Sequence, residues 1–334
     1  MNFRPPPADI PAAAAGDAPT ESWSVDGGRG ATPPMLVQGD RAYLAGADRQ
    51  VRAIDIETGR EVWHRRLAGT ILGGVLLRDS TLYVATSRPE GKIHALDLFT
   101  GRSRWRKSAG DIATPLAVAG GAIAGINRRG ELVAFELASG TLRWRRRIGI
   151  SRLAPLATAD GFLVAVGDSV LQVGVTEGRR IAQARLPSGI IGWQQAGDKL
   201  LVATADSALV ALDPGSLDAE WRVHLDGPIL GPAGVRGDTV WAVTRRGTLF
   251  EITPGQPSVA RRIAGLEAPI TTGVAPIADL LVVGGADGVL RGLTREGHTA
   301  WRVSLSWNIT VDPVPVPGGF LAAGGDGDLH RFSE

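Results

Sequence analysis

A repeat built around tryptophan recurs along most of this chain at a period of about 40 residues. The copies share a small residue, an acidic or polar residue, a Thr/Ser-Gly type of turn, a tryptophan and a following aliphatic residue. The clearest copies occupy residues 53–67, 95–105, 134–148, 211–225 and 292–305. Self-similarity with a period of about 20–50 residues is typical of solenoids, propellers and arrays. The chain is therefore expected to use one small structural unit many times.

The number of units follows from the tryptophan positions. Two weaker copies fill the gaps in the series, with Ala182 and Val259 in the tryptophan position and Leu186 and Ile263 as the closing aliphatic residues. This arrangement predicts eight units. The tryptophans that we expect to dock neighbouring units together are Trp23, Trp63, Trp105, Trp144, Trp221 and Trp301.

Each unit reads as four short strands. Residues 71–108 contain four alternating apolar segments separated by turn residues, and no amphipathic helical stretch of useful length interrupts them. Four strands repeated eight times predict an all-β fold, a single eight-bladed β-propeller of four-stranded antiparallel blades. The chain ends after a third strand, and the missing fourth strand with its tryptophan lies at residues 21–25. We therefore expect the N-terminal strand to close the last blade.

The N-terminal residues differ from the rest in composition. Residues 1–20 are rich in Pro and Ala and poor in large apolar side chains, so they are interpreted as a disordered tether. Residues 21–334 form the predicted propeller domain. No run of about 18 apolar residues occurs, so no membrane-spanning helix is expected.

Composition excludes several classes of function. The chain has no cysteine, which removes thiolate metal sites, disulfides and thiol nucleophiles. With 36 basic and 34 acidic residues the formal net charge is only +2, and no basic block is long enough to predict nucleic-acid binding. The five histidines lie in different units and form no metal-binding spacing. No catalytic residues, metal site or cofactor are therefore predicted.

The segment from Ala53 to Trp63, Ala-x-Asp-x-x-Thr-Gly-x-x-x-Trp, resembles the tryptophan-docking repeat of the PQQ-like, quinoprotein-type propellers. Residues 95–105 match the same motif. The resemblance covers residues 21–334 and implies the propeller fold. One branch of that family comprises quinone-dependent dehydrogenases, which are longer and have insertions around the cofactor. In length and in the absence of insertions this chain is more similar to the other branch, the BamB-type outer-membrane assembly factors.

The resemblance implies a role and a contact surface. The assembly-factor branch binds its barrel-assembly partner through a loop between the third and fourth blades with an apolar-x-apolar-Arg motif. Ile148, Ile150 and Arg152 match it in part, since the arginine comes one place late. The acidic contact that the family has in the next loop has no counterpart in residues 186–195. These three residues are the candidate partner contacts.

A second candidate site lies on the predicted innermost strands. Trp193 and Asp312 occupy positions where other units have Pro or Gly, so they could hold a small molecule over the central axis. The structural interpretation is that Trp193 packs between blades and that Asp312 is a solvated channel residue. Both interpretations remain open at this point.

The function expected from the sequence is a non-catalytic, monomeric, protein-binding scaffold that supports assembly of outer-membrane β-barrel proteins. The resemblance implies a periplasmic location, with tethering to the outer membrane in the full-length form. A ligand-sensing propeller is the alternative, and a quinone-dependent dehydrogenase is a remote one.

Overall fold

The eight-bladed architecture is present in the computed structural model, which describes residues 18–28, 30–89, 91–229, 231–254, 259–266, 268–305 and 307–333. Within these residues every regular element is a β-strand, and the 32 strands form eight four-stranded antiparallel sheets. This confirms the predicted fold class. Residues 1–17 of the predicted tether lie outside the described residues, and the first strand begins at Thr20.

Blades I to IV follow one another along the chain, and each runs from its innermost to its outermost strand. Blade I contains β2 (Ala31–Gln38), β3 (Arg41–Gly46), β4 (Gln50–Asp55) and β5 (Glu61–Arg66). Blade II contains β6 (Leu76–Arg78), β7 (Thr81–Ala85), β8 (Lys92–Asp97) and β9 (Ser103–Ser108). Blade III contains β10 (Ala117–Ala119), β11 (Ala122–Ile126), β12 (Glu131–Glu136) and β13 (Leu142–Arg147). Blade IV contains β14 (Leu156–Ala157), β15 (Gly161–Val166), β16 (Ser169–Gly174) and β17 (Arg180–Arg185).

Blades V to VII repeat this order. Blade V contains β18 (Ile190–Ala196), β19 (Lys199–Thr204), β20 (Ala208–Leu212) and β21 (Ala219–His224). Blade VI contains β22 (Gly234–Arg236), β23 (Thr239–Val243), β24 (Thr248–Thr253) and β25 (Val259–Gly265). Blade VII contains β26 (Ala275–Ile277), β27 (Leu280–Gly284), β28 (Val289–Leu293) and β29 (Thr299–Ser304).

Blade VIII is assembled from both ends of the chain. Its first three strands are β30 (Ile309–Val316), β31 (Gly319–Gly324) and β32 (Leu329–Ser333), and its outermost strand is β1 (Thr20–Val25). The two ends pair antiparallel, with Trp23 opposite Arg331 and Val25 opposite Leu329. The predicted closure by the N-terminal strand is therefore confirmed.

The apolar core is divided among the blade interfaces. Eight clusters of buried side chains occur, and each joins two neighbouring blades. One of them combines Val316, Leu321 and Leu329 of blade VIII with Ala42, Leu44 and Ile54 of blade I. Because every blade buries its faces against two neighbours, the ring as a whole is the unit that stabilises the fold.

The two faces of the disc carry different loops. On one face, which we call the inter-blade face, the loop leaving each outermost strand bonds to the turn between the second and third strands. For example, the N–H of Leu67 donates to the carbonyl of Arg49 at 2.8 Å, and the N–H of Ile148 donates to the carbonyl of Gly130 at 2.9 Å. The opposite face, the hairpin face, carries the turns between the first and second strands and between the third and fourth.

The repeat tryptophans lie at the blade interfaces. The indole N–H of Trp63 donates to the carbonyl of Leu98 in the next blade at 3.1 Å, and its ring covers Gly101 in the Thr-Gly turn. Gly101 has a positive φ of 66°, and a Cβ there would lie 2.6 Å from the Trp63 ring. Equivalent bonds are made by Trp23 to Ile56, Trp105 to Leu137 and Trp144 to Val175. Trp221 and Trp301 are buried in the clusters that join blades V–VI and VII–VIII.

The interface between blades IV and V uses a different pair of residues. Ala182 occupies the tryptophan position, and Leu217 stands where the next turn would have glycine. Leu217 keeps that glycine's backbone shape, with φ of 64° and an N–H bond to the carbonyl of Asp213 at 2.8 Å. Its side chain is buried in the same cluster as Ala182. At this interface the large side chain comes from the turn (Leu217) and the small one from the outermost strand (Ala182), which is the reverse of the pair Trp63 and Gly101.

We expect this exchange to be visible as coupling between the two positions. Ala182→Trp alone overfills the interface and lowers the free energy of unfolding by about 1–3 kcal/mol. The double change Ala182→Trp with Leu217→Gly restores the pairing seen at Trp63 and Gly101. Its loss in free energy of unfolding is therefore expected to be smaller than the sum of the two single losses by about 0.5–3 kcal/mol. Urea denaturation of the four proteins measures this coupling energy. Strictly additive effects would contradict the exchange.

The repeat register in blade VI differs from the predicted one. The N–H of Leu266 bonds to the carbonyl of Gly247, as Leu225 and Leu305 bond in their blades, so Leu266 rather than Ile263 closes the sixth copy. Val259 therefore does not occupy the tryptophan position, and it is an exposed residue at the start of β25. The error arose because β25 has a bulge at a different place, opposite Leu249 and Phe250.

Candidate functional site

The loop between blades III and IV presents Ile150 to solvent on the inter-blade face. The N–H groups of Ile148 and Gly149 both bond to the carbonyl of Gly130, at 2.9 and 3.1 Å. Gly149 has a φ of 115°, a conformation that favours glycine, and a Cβ there would come within 2.6 Å of Val166. The loop is thereby held against its own blade and its neighbour. Ile150, the next residue, is 73% exposed.

A small apolar cavity of about 290 Å³ opens beside this loop. Ile150 and Arg152 line it from one side and Ile190 and Ile191 from the start of blade V. Ile191 is itself 41% exposed. We call the exposed residues Ile150, Arg152 and Ile191 the Ile150 patch. It combines two aliphatic side chains with one cation at the junction of three blades.

The three predicted partner contacts are not equivalent in the structure. Ile150 and Arg152 line the same cavity and are exposed. Ile148 is half-buried and packs against the cluster between blades III and IV. It therefore supports the loop from beneath and is less exposed than Ile150, and its role as a partner contact stays a prediction.

Trp193 lies next to this patch. A second cavity of about 200 Å³ is lined by Trp193 and shares Leu153 and Ile191 with the first. The Trp193 indole N–H donates to the carbonyl of Ala154 in blade IV at 2.8 Å, and its ring packs in the cluster between blades IV and V. The geometry is that of an aromatic side chain packed between two blades.

Asp312 makes a different contact three blades away. Its Oδ1 accepts the N–H of Gly273 from the neighbouring innermost strand at 2.6 Å. Burial raises the pKa of this carboxyl, and the hydrogen bond from Gly273 opposes that rise. Trp193 and Asp312 thus bond to the backbones of different blades, IV and VII. The Trp193 indole N–H and the Asp312 Oδ1 therefore do not converge on a shared site.

Sequence reasoning missed two residues in this region. Gln194 clamps the innermost strand of the next blade, because its Nε2 donates to the carbonyl of Ala233 at 2.8 Å and its Oε1 accepts the Ala233 N–H at 2.7 Å. Ile191 completes the Ile150 patch from the beginning of β18, 41 residues further along the chain. The repeat period was a usable signal for both, since it places successive inter-blade loops side by side.

The described residues contain no group of three or more histidine, aspartate or glutamate side chains that could hold a metal ion. His64 contacts Glu61 at 2.6 Å and His330 contacts Glu21 at 3.2 Å, and the two pairs belong to different blades. In the part of the chain that the structure covers, no helix is both long enough and apolar enough to cross a membrane.

Several known proteins of related sequence carry the same description. The "Outer membrane protein assembly factor BamB" of Burkholderia pseudomallei is 28% identical over 265 residues, covering 78% of this chain and 61% of that protein. The protein of the same name from Yersinia pestis is 24% identical, covering 94% of this chain and 78% of its own length. The protein from Bordetella pertussis is 23% identical, with 97% and 89% coverage. The matched region thus spans less than two thirds of the Burkholderia protein.

Solved structures show the same fold. The crystal structure of BamB from Moraxella catarrhalis superposes with a TM-score of 0.77 at 20% identity, covering 95% of this chain and 98% of that one. The computationally designed Ika8 protein superposes with a TM-score of 0.78 at 14% identity, covering 94% and 99%. At these identities the likeness shows the architecture alone.

A family assignment comes from the sequence itself. The family described as outer membrane protein assembly factor BamB matches residues 13–195, more than half of the chain. The matched segment includes the loop with Ile150 and the start of blade V with Ile191. It confirms the resemblance inferred from the tryptophan repeat. This chain belongs to the family of the outer membrane protein assembly factor BamB.

Proposed function

We propose that this protein is a non-catalytic scaffold that supports the assembly of outer-membrane proteins, acting in the periplasm through docking to a protein of the barrel-assembly machinery. The observation that carries the proposal is the Ile150 patch. It is an exposed, rigidly held apolar surface with an adjacent cation, and it lies within the segment that matches the assembly-factor family. Family membership supports the kind of partner, and the structure supports the position of the contact.

The patch has the properties of a small binding hot spot. Its loop is fixed by two backbone bonds to Gly130, so little conformational entropy is lost when a partner binds. Ile150 stands out from the surface, and the cavity of about 290 Å³ next to it can receive an apolar side chain of the partner. Arg152 provides a charge at the edge of the contact, which favours an acidic group opposite. Hydrolytic or redox chemistry requires groups that the patch does not contain.

The test is binding of the purified chain to a purified barrel-assembly protein of its own source. Ile150→Asp places a charge at the centre of the patch and is expected to weaken binding at least tenfold in a titration calorimetry or biolayer experiment. Arg152→Glu is expected to weaken it less, because the residue lies at the rim.

The matched control is Ile181→Asp. Ile181 is also an exposed isoleucine, at 56%, but it lies on the outermost strand of blade IV away from the patch. It should leave the affinity within about twofold. Equal loss of binding in both variants, or full binding by Ile150→Asp, would overturn the proposed docking site.

The alternative, a ligand-sensing propeller, has weaker support. The cavity beside Trp193 measures about 200 Å³, and small-molecule sites usually enclose about 300–1,000 Å³. The Trp193 indole N–H and the Asp312 Oδ1, two of the groups that could hold a ligand, are already bonded to Ala154 and Gly273. A packing role in the ring accounts for both residues.

A further inference from the structure

A strip of positive charge runs along the rim of blades I to III. It lies on the second halves of the outermost strands β5, β9 and β13, where each strand approaches the inter-blade face. Seven exposed cations form this strip, which we call the basic rim: Arg65, Arg66, Arg106, Lys107, Arg145, Arg146 and Arg147. It ends directly before the loop that carries Ile150.

None of these seven side chains takes part in a salt bridge within the described residues. Of their cross-strand neighbours in register, Glu131 opposite Arg147 is the only acidic one, and its carboxylate accepts a bond from Asn127 at 2.7 Å. The arginines at the beginnings of the same strands are paired, Arg104 with Asp97 and Arg143 with Glu136. On β9 and β13 the cations without a salt bridge among the described residues therefore lie in the second half of the strand.

On the other side of the ring most arginines of the outermost strands are in salt bridges, although Arg262 has none among the described residues and Arg180 donates to the side-chain oxygen of Gln183 instead. On the outermost strands of blades IV to VI, Arg185 pairs with Asp168, Arg222 with Asp206 and Arg261 with Glu251. Arginine on an exposed strand edge prevents edge-to-edge aggregation, and paired arginines serve that purpose as well as free ones. Protection of the edges therefore does not explain why three consecutive blades keep their cations unpaired.

The charge of the basic rim differs in sign from the summed charge of the remaining residues. With the seven cations of the basic rim set aside, 29 basic residues remain against 34 acidic ones, a formal net charge of −5. In a chain that is nearly neutral overall, the second halves of β5, β9 and β13 thus contain seven cations and no acidic residue. Such separation orients a molecule in an electric field and toward a surface of opposite sign.

The geometry distinguishes between kinds of anion. The three strands lie on successive blades of a ring, so their side chains diverge and cannot converge on a single phosphate or carboxylate. A folded acidic protein could contact all seven cations only if its own surface curved around three blades, so it is a poorer match for the basic rim. Headgroups of a fluid bilayer can move to each cation separately, and long Arg and Lys side chains adapt to such a surface.

We propose that the basic rim of blades I to III is a docking surface for a membrane with anionic phospholipid headgroups. Contact there would hold the disc edge-on at the bilayer and would leave the Ile150 patch beside the membrane surface, open to a partner. The proposal does not depend on the docking partner, so it can hold or fail separately from the proposed function.

The experiment is vesicle co-sedimentation of the full chain. Vesicles of phosphatidylcholine and phosphatidylglycerol at about 3:1 are compared with vesicles of phosphatidylcholine alone, at about 0.1 M and 0.5 M NaCl. Binding is expected only to the anionic vesicles and is expected to fall at the higher salt, because exposed charges are screened. The rim variant neutralises five cations, Arg65→Gln, Arg66→Gln, Lys107→Gln, Arg145→Gln and Arg146→Gln, and is expected to lose at least tenfold in apparent affinity.

A matched control removes the same charge from the other side of the ring. It carries Arg180→Gln, Arg185→Gln, Arg222→Gln, Arg261→Gln and Arg262→Gln on the outermost strands of blades IV to VI. Its vesicle affinity should stay within about threefold of the unmodified chain, and circular dichroism should show both variants folded. Equal losses in the two variants, binding to neutral vesicles, or binding to an acidic polypeptide with none to vesicles would each overturn the proposal.

Discussion

Replacing Trp144 by alanine should lower the free energy of unfolding by about 3–5 kcal/mol, a large part of what a domain has to lose. Trp144 is only 5% exposed, and its ring fills the interface between blades III and IV. It packs edge-on against Phe162, with 6.3 Å between the ring centroids, and covers Gly178 in the next turn. Alanine leaves a cavity there and removes the hydrogen bond to Val175, whose carbonyl then lacks that partner.

Guanidinium denaturation followed by circular dichroism measures this effect. The matched control is Trp307→Ala, because Trp307 is 58% exposed in the loop before blade VIII. Its removal should change the free energy of unfolding by no more than about 0.5 kcal/mol. Unfolding of both variants at the same denaturant concentration would contradict the role of the repeat tryptophans in holding neighbouring blades together.

Removing strand β1 should abolish cooperative folding of the ring. A chain that begins at residue 28 lacks the outermost strand of blade VIII, so the edge of β32 is left unpaired from Leu329 to Ser333. It also loses Trp23, which bonds to Ile56 at 3.2 Å and joins blade VIII to blade I. An exposed apolar strand edge promotes pairing with other chains. We expect aggregation or a broad, non-cooperative thermal transition.

A chain that begins at residue 18 is the control for this deletion. It keeps all 32 strands and should unfold with the midpoint of the full chain. Added synthetic peptide of residues 18–27 should restore part of the cooperativity of the shorter chain, because it can re-form the pairing with β32. A sharp transition at an unchanged midpoint in the shorter chain would show that the ring does not depend on this closure.

The features that every copy of the repeat shares were predictable from the sequence. The period, the four strands and the terminal closure all follow from local alternation and from the spacing of tryptophans such as Trp63 and Trp105. Because each unit has the same strand pattern, an ambiguous position in one copy can be assigned by comparison with the other copies. Where a copy departs from the pattern, as at Val259 in blade VI, that comparison failed and the register was misplaced.

The candidate site was less predictable because it lies between units. Ile150 and Arg152 were found from their own loop, but Ile148 is next to them in sequence and faces the core instead. Regular alternation would place Ile148 and Ile150 on the same side of the chain. The positive φ of 115° at Gly149 breaks that alternation, and the sequence does not state this conformation. Ile191 joins the patch only because the ring brings the beginning of β18 next to the loop between blades III and IV.

The sequence by itself determined the architecture: a repeated unit of fixed length, with a large aromatic residue in each unit, can bury its surfaces only by stacking against copies of itself until the ring closes. Only the tertiary structure decided which polar and charged groups have partners. Trp193 and Asp312 are bonded to the backbones of neighbouring blades, whereas the cations of the basic rim have no salt bridge to any residue that the structure describes. Pairing depends on distances between side chains that are far apart in the chain, and those distances exist only once the ring has formed.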